Sequence, residues 1–251
     1  MIFIKTKEEI NIMKEGGGIL SKIAKTLSDK IKVGVSTGEL DRASRALFLY
    51  YKVEPAFLGH QGFPASICTS VNQMVVHGVP SPYQLKDGDV LSVDLGLKYR
   101  DYYLDMAFSR IVGDKKLANP QAEKLVKAAR KALELAVKAA KPGVTFGDIG
   151  FLVEDYVKKQ GFNVVRNLCG HGIGKELHED PQILNYGNPG EGEALKEGMV
   201  ICFEPMITMG DWHIQKSADG FGYETKDGSL AVHFEQTIAI TKKGSQILTK
   251  L

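Results

Sequence analysis

Short apolar runs of strand-like character alternate along this chain with longer mixed stretches that begin on helix-capping residues. Thr6 with Glu9 is a capping-box pattern, opening a helix predicted to run to about Lys30, with Gly16, Gly17 and Gly18 weakening its middle. Ser36 with Glu39 opens a second helix that ends near Tyr51. Strand-like segments follow at about 65–71, 89–98 and 101–112. Asn119 before Pro120 marks a helix start and Pro142-Gly143 a stop. Thr145 begins a further helix that ends at Gly161. The remainder reads mainly as strands, at about 163–169, 198–208 and 229–241, with Asp227-Gly228 as a hairpin signal. This order suggests two similar halves, although no sequence repeat is visible. No linker, charge block or low-complexity segment divides residues 1–251, so a single domain is expected.

The polar exceptions inside the apolar runs carry the chemistry. Asp94 in VLSVDLGL and Asp105 in YYLDMAFSRIV lie on what reads as one tight hairpin. With Tyr99-Arg100 as the turn, Lys98 pairs with Asp101 and Asp94 falls directly opposite Asp105, with Cβ atoms ~4.5–5.5 Å apart. Two carboxylates that close in an apolar setting share a proton or hold a cation. His171 in CGHGIGKELHEDP, Glu204 in MVICFEPMI and Glu235 in LAVHFEQTIAI extend the set. Four carboxylates and an imidazole offer too many anionic oxygens for one small ion and suit a pair of first-row divalent ions. Two such ions can bridge and activate a water, which is hydrolase chemistry.

Composition narrows the field a little further. The 251 residues are 43% hydrophobic and 25% charged, as in ordinary soluble proteins. A net charge of +2 gives no electrostatic case for nucleic acid or a membrane surface. No apolar run approaches the ~20 residues that span a bilayer, and the start, MIFIKTKEEI, turns charged too soon for a signal peptide. Cys68, Cys169 and Cys202, with no CxxC pair, read as free thiols in a reducing, cytoplasmic setting. His213 and His233 fit no motif and read as surface residues.

The stretches SICTSVNQMVVHGVP, LSVDLGLKYRDYYLD, NLCGHGIGKELHEDPQI, GMVICFEPMI and HFEQTIAIT, in this order and spacing, resemble the type I methionine aminopeptidases of the pita-bread metallopeptidase family. The resemblance covers essentially the whole chain. It implies an α+β fold, a pseudo-twofold antiparallel sheet flanked by helices, with a dinuclear metal site between the halves. It also implies two divalent ions, Co, Mn, Fe or Zn, held by Asp94, Asp105, His171, Glu204 and Glu235. Asp94 would chelate one ion and His171 with Glu204 the other, while Asp105 and Glu235 bridge. Glu204 would be the general acid–base, His178 a donor to the developing oxyanion, and His77 a contact to the backbone nitrogen of the second residue. His60, Phe63, Cys68, Leu177 and Phe221 would line the methionine pocket.

Several positions depart from the usual pattern of that family. Phe57, His60 and Gln61 stand where a small residue or Cys, then Tyr and His, are expected; Leu177 replaces a common Phe and Phe221 a common Trp. The loop KYRDYYLD lacks the family's glycines. The activity implied is removal of N-terminal methionine from peptides and nascent chains in the cytoplasm, with a small second residue favoured. Transient ribosome contact, a monomeric state and no nucleic-acid or membrane binding complete the picture. Two rivals stand beside it: an Xaa-Pro exopeptidase of the same fold, and a binding protein of that fold that has lost its metals.

Overall fold

The computed structural model describes residues 1–114 and 119–251. Among the described residues, α1 (Lys7–Lys30), α2 (Thr37–Tyr51) and α3 (Pro120–Ala139) pack against a nine-stranded sheet, and α4 (Phe146–Lys159) packs against α3 and the short strand Asn163–Val164. Capping boxes open α1, α2 and α4, formed by Thr6 with Glu9, Ser36 with Glu39, and Thr145 with Asp148. The principal sheet path runs Glu54–Pro55, Val90–Tyr99, Tyr102–Ile111, Glu235–Thr241, Val200–Phe203, Gly170–Gly172, Glu179–Ile183. Cys68–Val71 adds to the second of these strands and Gly244–Ile247 to the fourth, and every pairing is antiparallel.

The glycine run does not weaken α1 as expected, because two of the three glycines are where the helix touches its neighbours. A Cβ on Gly17 would lie 2.2 Å from the carbonyl oxygen of Leu248, and one on Gly16 would lie 2.9 Å from the Leu104 side chain. Gly18 faces open space. The lost helix propensity is offset by close approach of the helix to the sheet and to the end of the chain.

The hairpin register differs from expectation. Arg100 and Asp101 form the turn, both at positive φ (46° and 67°), so Tyr99 pairs with Tyr102 and Lys98 with Tyr103. Such a two-residue turn needs left-handed backbone at both centres, which Asp tolerates better than Tyr. The shift places Asp94 opposite Ala107 and Asp105 opposite Gly96. The two carboxylates are therefore diagonal on one face, each facing a small residue.

Three predicted strands are interrupted. The 198–208 run breaks at Glu204-Pro205 and the 229–241 run at Phe234, giving Val200–Phe203 with Met206–Thr208, and Ala231–His233 with Glu235–Thr241. In each case one piece belongs to the large sheet and the other to a three-stranded sheet, so the chain changes sheets beside Glu204 and Glu235. Proline lacks the N–H that a continuous ladder requires, which accounts for the first break. Only Asn163–Val164 and Gly170–Gly172 form strands near the predicted 163–169. Asp227-Gly228 follows a turn but not a hairpin. The Asp227 carboxylate accepts from the Asp211 and Ser229 N–H groups and redirects the chain between sheets.

The two halves repeat in the chain as well as in space, although no repeat is expected from the sequence alone. Lys32-Val33-Gly34-Val35-Ser36-Thr37-Gly38-Glu39-Leu40 is echoed by Lys141-Pro142-Gly143-Val144-Thr145-Phe146-Gly147-Asp148-Ile149. Gly34 and Gly143 both have positive φ (85° and 90°), and donate to the carbonyls of Leu85 at 2.8 Å and Leu195 at 2.9 Å. Ser36 bridges to Gln84, and Thr145 to Ala194. The segments so reached, LKDGDVLSVD ending at Asp94 and LKEGMVICFE ending at Glu204, are themselves alike. Asp94 and Glu204 are thus equivalent positions of the two halves.

Replacing Gly17 with Ala is expected to destabilise the protein by about 1–3 kcal/mol through overpacking. Gly18→Ala should instead stabilise it by roughly 0.5–1 kcal/mol. Urea midpoints of the two variants check this, and equal shifts of the same sign would refute the close-approach account.

Candidate active site

Two rows across the large sheet set the floor of a cavity. In the first, Cys68 pairs with Asp94, Asp94 with Ala107, and Ala107 with Glu235, so one alanine separates two carboxylates. In the second, Asp105 meets Thr237, Thr237 pairs with Cys202, and Cys202 with His171. The Asp105 N–H donates to Thr237 Oγ1 at 3.0 Å, while the Thr237 and Thr249 hydroxyls donate to the Asp105 carbonyl at 2.7 and 3.1 Å. Those bonds leave the Asp105 carboxylate with one backbone donor, the Met106 N–H at 2.9 Å. Glu204 stands at the sheet change, its carbonyl held by the Asn185 amide.

The structure brings all five of the expected ligands together. The acidic oxygens of Asp94, Asp105 and Glu235 lie within 4.8 Å of one another. His171 Nε2 is 3.5 Å from Glu204 Oε1 and 3.8 Å from Glu235 Oε1. Its Nδ1 faces the Gly172 carbonyl at 2.9 Å, so Nδ1 carries the proton and Nε2 offers its lone pair. Asp94 Oδ1 and Glu235 Oε1 are buried without a hydrogen-bond partner. Orphaned anionic oxygens in such surroundings fit divalent cations, because nothing else on the floor neutralises them.

The electrostatics show the same strain. Burial, then repulsion from Asp105 and Glu204, raises the pKa of Asp94 well above the usual carboxylate range. Burial and neighbouring carboxylates do the same to Glu204 and Glu235, and Asp105 is pushed up to about 7, chiefly by burial. His171 is driven down to about 4, mainly by burial, and so stays neutral and able to ligate.

Above this floor lies a cavity of about 400 Å³, bordered by His60, Phe63, Cys68, His77, Leu177, His178 and Phe221 as well as the five acidic and imidazole groups. Every candidate ligand, catalytic residue and pocket residue named from the sequence therefore lines one space. Phe63 and Phe221 meet edge to face with centroids 5.5 Å apart. His178 sits between His171 and His60, at ring separations of 4.6 and 5.6 Å. Its loop is anchored by a buried Lys5–Glu179 ion pair, and Glu179 also accepts from the Lys175 N–H at 2.7 Å. His77 adopts positive φ (57°), a conformation a bulky residue holds only under constraint. A second cavity of about 350 Å³ adjoins the first and shares His77, Leu168, His171, His178 and Glu204.

Some residues of the site were not foreseen. His213 is exposed as expected, paired with Asp211, but His233 is not a surface residue: it is 2% exposed and lines the cavity. The signal was its position two residues before Glu235 in an apolar run, since residues two apart in a strand share a face. Cys202 is brought to the floor beside His171 and Glu235. Burial and the surrounding carboxylates raise its pKa far up, which keeps it a protonated thiol, a poor ligand. Leu168, Lys216, Gly220 and Tyr223 also line the cavity, as do Phe57 and Gln61.

The metallopeptidase family M24 profile matches residues 11–242. The chain belongs to metallopeptidase family M24. The methionine aminopeptidase of Mycoplasma capricolum is 43% identical over 250 residues, covering 100% of this chain and 99% of that protein. The crystal structure of methionine aminopeptidase from Thermotoga maritima superposes with a TM-score of 0.97 at 42% identity, covering 100% of both chains. The prolidase from Pyrococcus furiosus is more distant, with a TM-score of 0.78 at 29% identity, covering 99% of this chain and 65% of that one. The pita-bread arrangement of the M24 family is thus the fold of this chain. Among the described residues, no helix is long and apolar enough to cross a membrane.

The buried carboxylates hold protons more tightly folded than unfolded, so their stabilisation is lost as pH rises from about 4 through their folded pKa values. The depressed imidazoles have the opposite sign, but their effect is complete by pH 6.5, the ordinary histidine value. Chelated protein should therefore lose stability as pH rises above about 6.5, through the titration of Asp105 at about 7 and of the other raised carboxylates, by about 1.4 kcal/mol per pH unit for each proton retained. Added Mn²⁺ or Co²⁺ should flatten that slope. Urea midpoints across the pH range test it, and a metal-free stability that rises with pH would refute it.

Proposed function

We propose that this M24 chain removes the N-terminal methionine from peptides and nascent polypeptides by metal-dependent hydrolysis. The observation that carries this reading is the convergence of Asp94, Asp105, His171, Glu204 and Glu235 on the floor of one cavity with apolar walls. Likeness over the full length to proteins named methionine aminopeptidase supports it.

Asp94 would hold one divalent ion, His171 and Glu204 a second, with Asp105 and Glu235 shared; Co, Mn, Fe and Zn all suit such donors. When bound, these ions lower the pKa of a water and stabilise negative charge on the scissile carbonyl oxygen. Glu204 accepts the proton of the attacking water, a role favoured by the raised proton affinity of its buried carboxylate. As the peptide C–N bond breaks, Glu204 passes that proton to the departing amine. His178 donates a hydrogen bond to the carbonyl oxygen as charge develops there. His77, held at the rim by its unusual backbone, contacts the nitrogen of the second residue. The free amino end of the substrate lies toward the carboxylates, which makes the reaction an exopeptidase cleavage.

The methionine side chain fits among His60, Phe63, Cys68, Leu177 and Phe221. Phe57 and Gln61 border the same cavity, so they shape the depth of the pocket together with His60. His77 and Leu168 border both cavities, and the second residue of the substrate lies beside them, where a small side chain is favoured. The same reading takes residues 1–251 as one catalytic unit, a cytoplasmic monomer in transient contact with the ribosome. With a net charge of +2 it has no general attraction for nucleic acid or anionic membranes.

Chelated protein given Mn²⁺ or Co²⁺ should release methionine from Met-Ala-Ser and little from Leu-Ala-Ser or Ala-Pro peptides. Release that ignores metal, or a preference for Ala-Pro, would overturn the assignment. Asp94→Asn and Glu204→Ala should abolish turnover. His178→Ala should lower kcat by about 10²–10³-fold, the usual loss of an oxyanion donor, with metal content intact.

A further inference from the structure

His233 stands in the same relation to Glu204 and Glu235 as His171 does, from the other side. Its Nε2 lies 3.6 Å from Glu204 Oε2 and 3.8 Å from Glu235 Oε2. The corresponding distances from His171 Nε2, to the Oε1 atoms of the same two residues, are 3.5 and 3.8 Å. Each glutamate thus turns one oxygen toward each imidazole. Both ring nitrogens of His233 are buried and have no hydrogen-bond partner. Separations of 3.6–3.8 Å are too long for hydrogen bonds. They suit two donors that share one ion at bond lengths of about 2.0–2.2 Å.

The imidazole is also held in place. The His233 N–H donates to Ser109 Oγ at 3.0 Å, and its carbonyl accepts from the Ser109 hydroxyl at 2.8 Å. His233 pairs with Met206 across the small sheet, two residues past Glu204. The ring therefore projects from a clamped backbone at the point where both glutamate-bearing segments change sheets.

We propose that His233 is a second nitrogen donor of the dinuclear centre, ligating a divalent ion through Nε2 alongside Glu204 and Glu235. This rests on the metallopeptidase reading of the site and extends it to metal selection. An all-oxygen set with one imidazole suits Mn²⁺ well, whereas a second imidazole favours nitrogen-preferring ions such as Co²⁺ and Zn²⁺. Loss of His233 should therefore weaken Co²⁺ far more than Mn²⁺.

The test is competitive titration of chelated protein with Co²⁺ and with Mn²⁺ against a chromophoric chelator, for the wild type and His233→Gln. The expected result is a loss of at least about tenfold in Co²⁺ affinity at one of two sites, a change in the cobalt ligand-field absorption, and a Mn²⁺ affinity altered by no more than about threefold. Equal affinities and an unchanged cobalt spectrum in His233→Gln would overturn the proposal. So would parallel losses for both ions, which indicate a collapsed site. Wild-type protein that binds neither ion would instead bring down the metallopeptidase reading itself, and this inference with it. If His233→Gln does not fold, His233→Asn replaces it, with circular dichroism and the metal-free urea midpoint as controls for folding.

Discussion

Burying four carboxylates on one face of a sheet sets the terms for the rest of this molecule. Each is removed from water and each repels the others, so their shared surroundings favour either protons or cations. The scaffold responds with small neighbours, Ala107 and Gly96, opposite Asp94 and Asp105, and with hydroxyls from Thr237 and Thr249 that fix the backbone of Asp105 rather than its carboxylate. The charged oxygens are left facing the cavity. A site built this way is unstable as a bare pocket and consistent as a metal centre.

The two halves explain how one chain assembles such a site. Gly34 and Gly143 sit in equivalent turns, and each donates its N–H to a segment that ends in an acidic residue, Asp94 in one half and Glu204 in the other. Asp105 and Glu235 enter from the two strands that meet at the seam, where Glu235 pairs with Ala107. The donors are nevertheless unequal. His171 and His233 both come from the second half, so one side of a nearly symmetric scaffold is richer in nitrogen.

Much of this was legible in the residues, and the misses have physical causes. Asp94, Asp105, Glu204 and Glu235 stood out because a carboxylate in an apolar run needs a partner. The hairpin register was misjudged by one residue of turn, since the conformational tolerance of Asp101 was not weighed against that of Tyr99. His233 was overlooked because a histidine in an apolar run carries no charge to betray it. The internal repeat lay in plain letters, but its two segments are short, 109 and 110 residues from their copies (Ser36 to Thr145, Asp94 to Glu204), and differ at more than half of their positions. Pro205 marks the break after Glu204 in the letters, but the break at Phe234 depends on which sheet each piece joins, which is a tertiary matter that local pattern does not encode.

The contact of Gly17 with the Leu248 carbonyl joins positions near opposite ends of the chain, as does the bond from the Lys250 N–H to the Ser21 hydroxyl. Loops of that length close at the greatest entropic cost, and contacts between such distant residues form late. Gly16 already lies against Leu104 of the Asp94–Asp105 hairpin, but the Gly17 side of α1 stays open until Leu248 and its neighbours are in place. A chain that has folded everything except that contact thus carries an unsealed edge along α1, the kind of intermediate on which chaperones act.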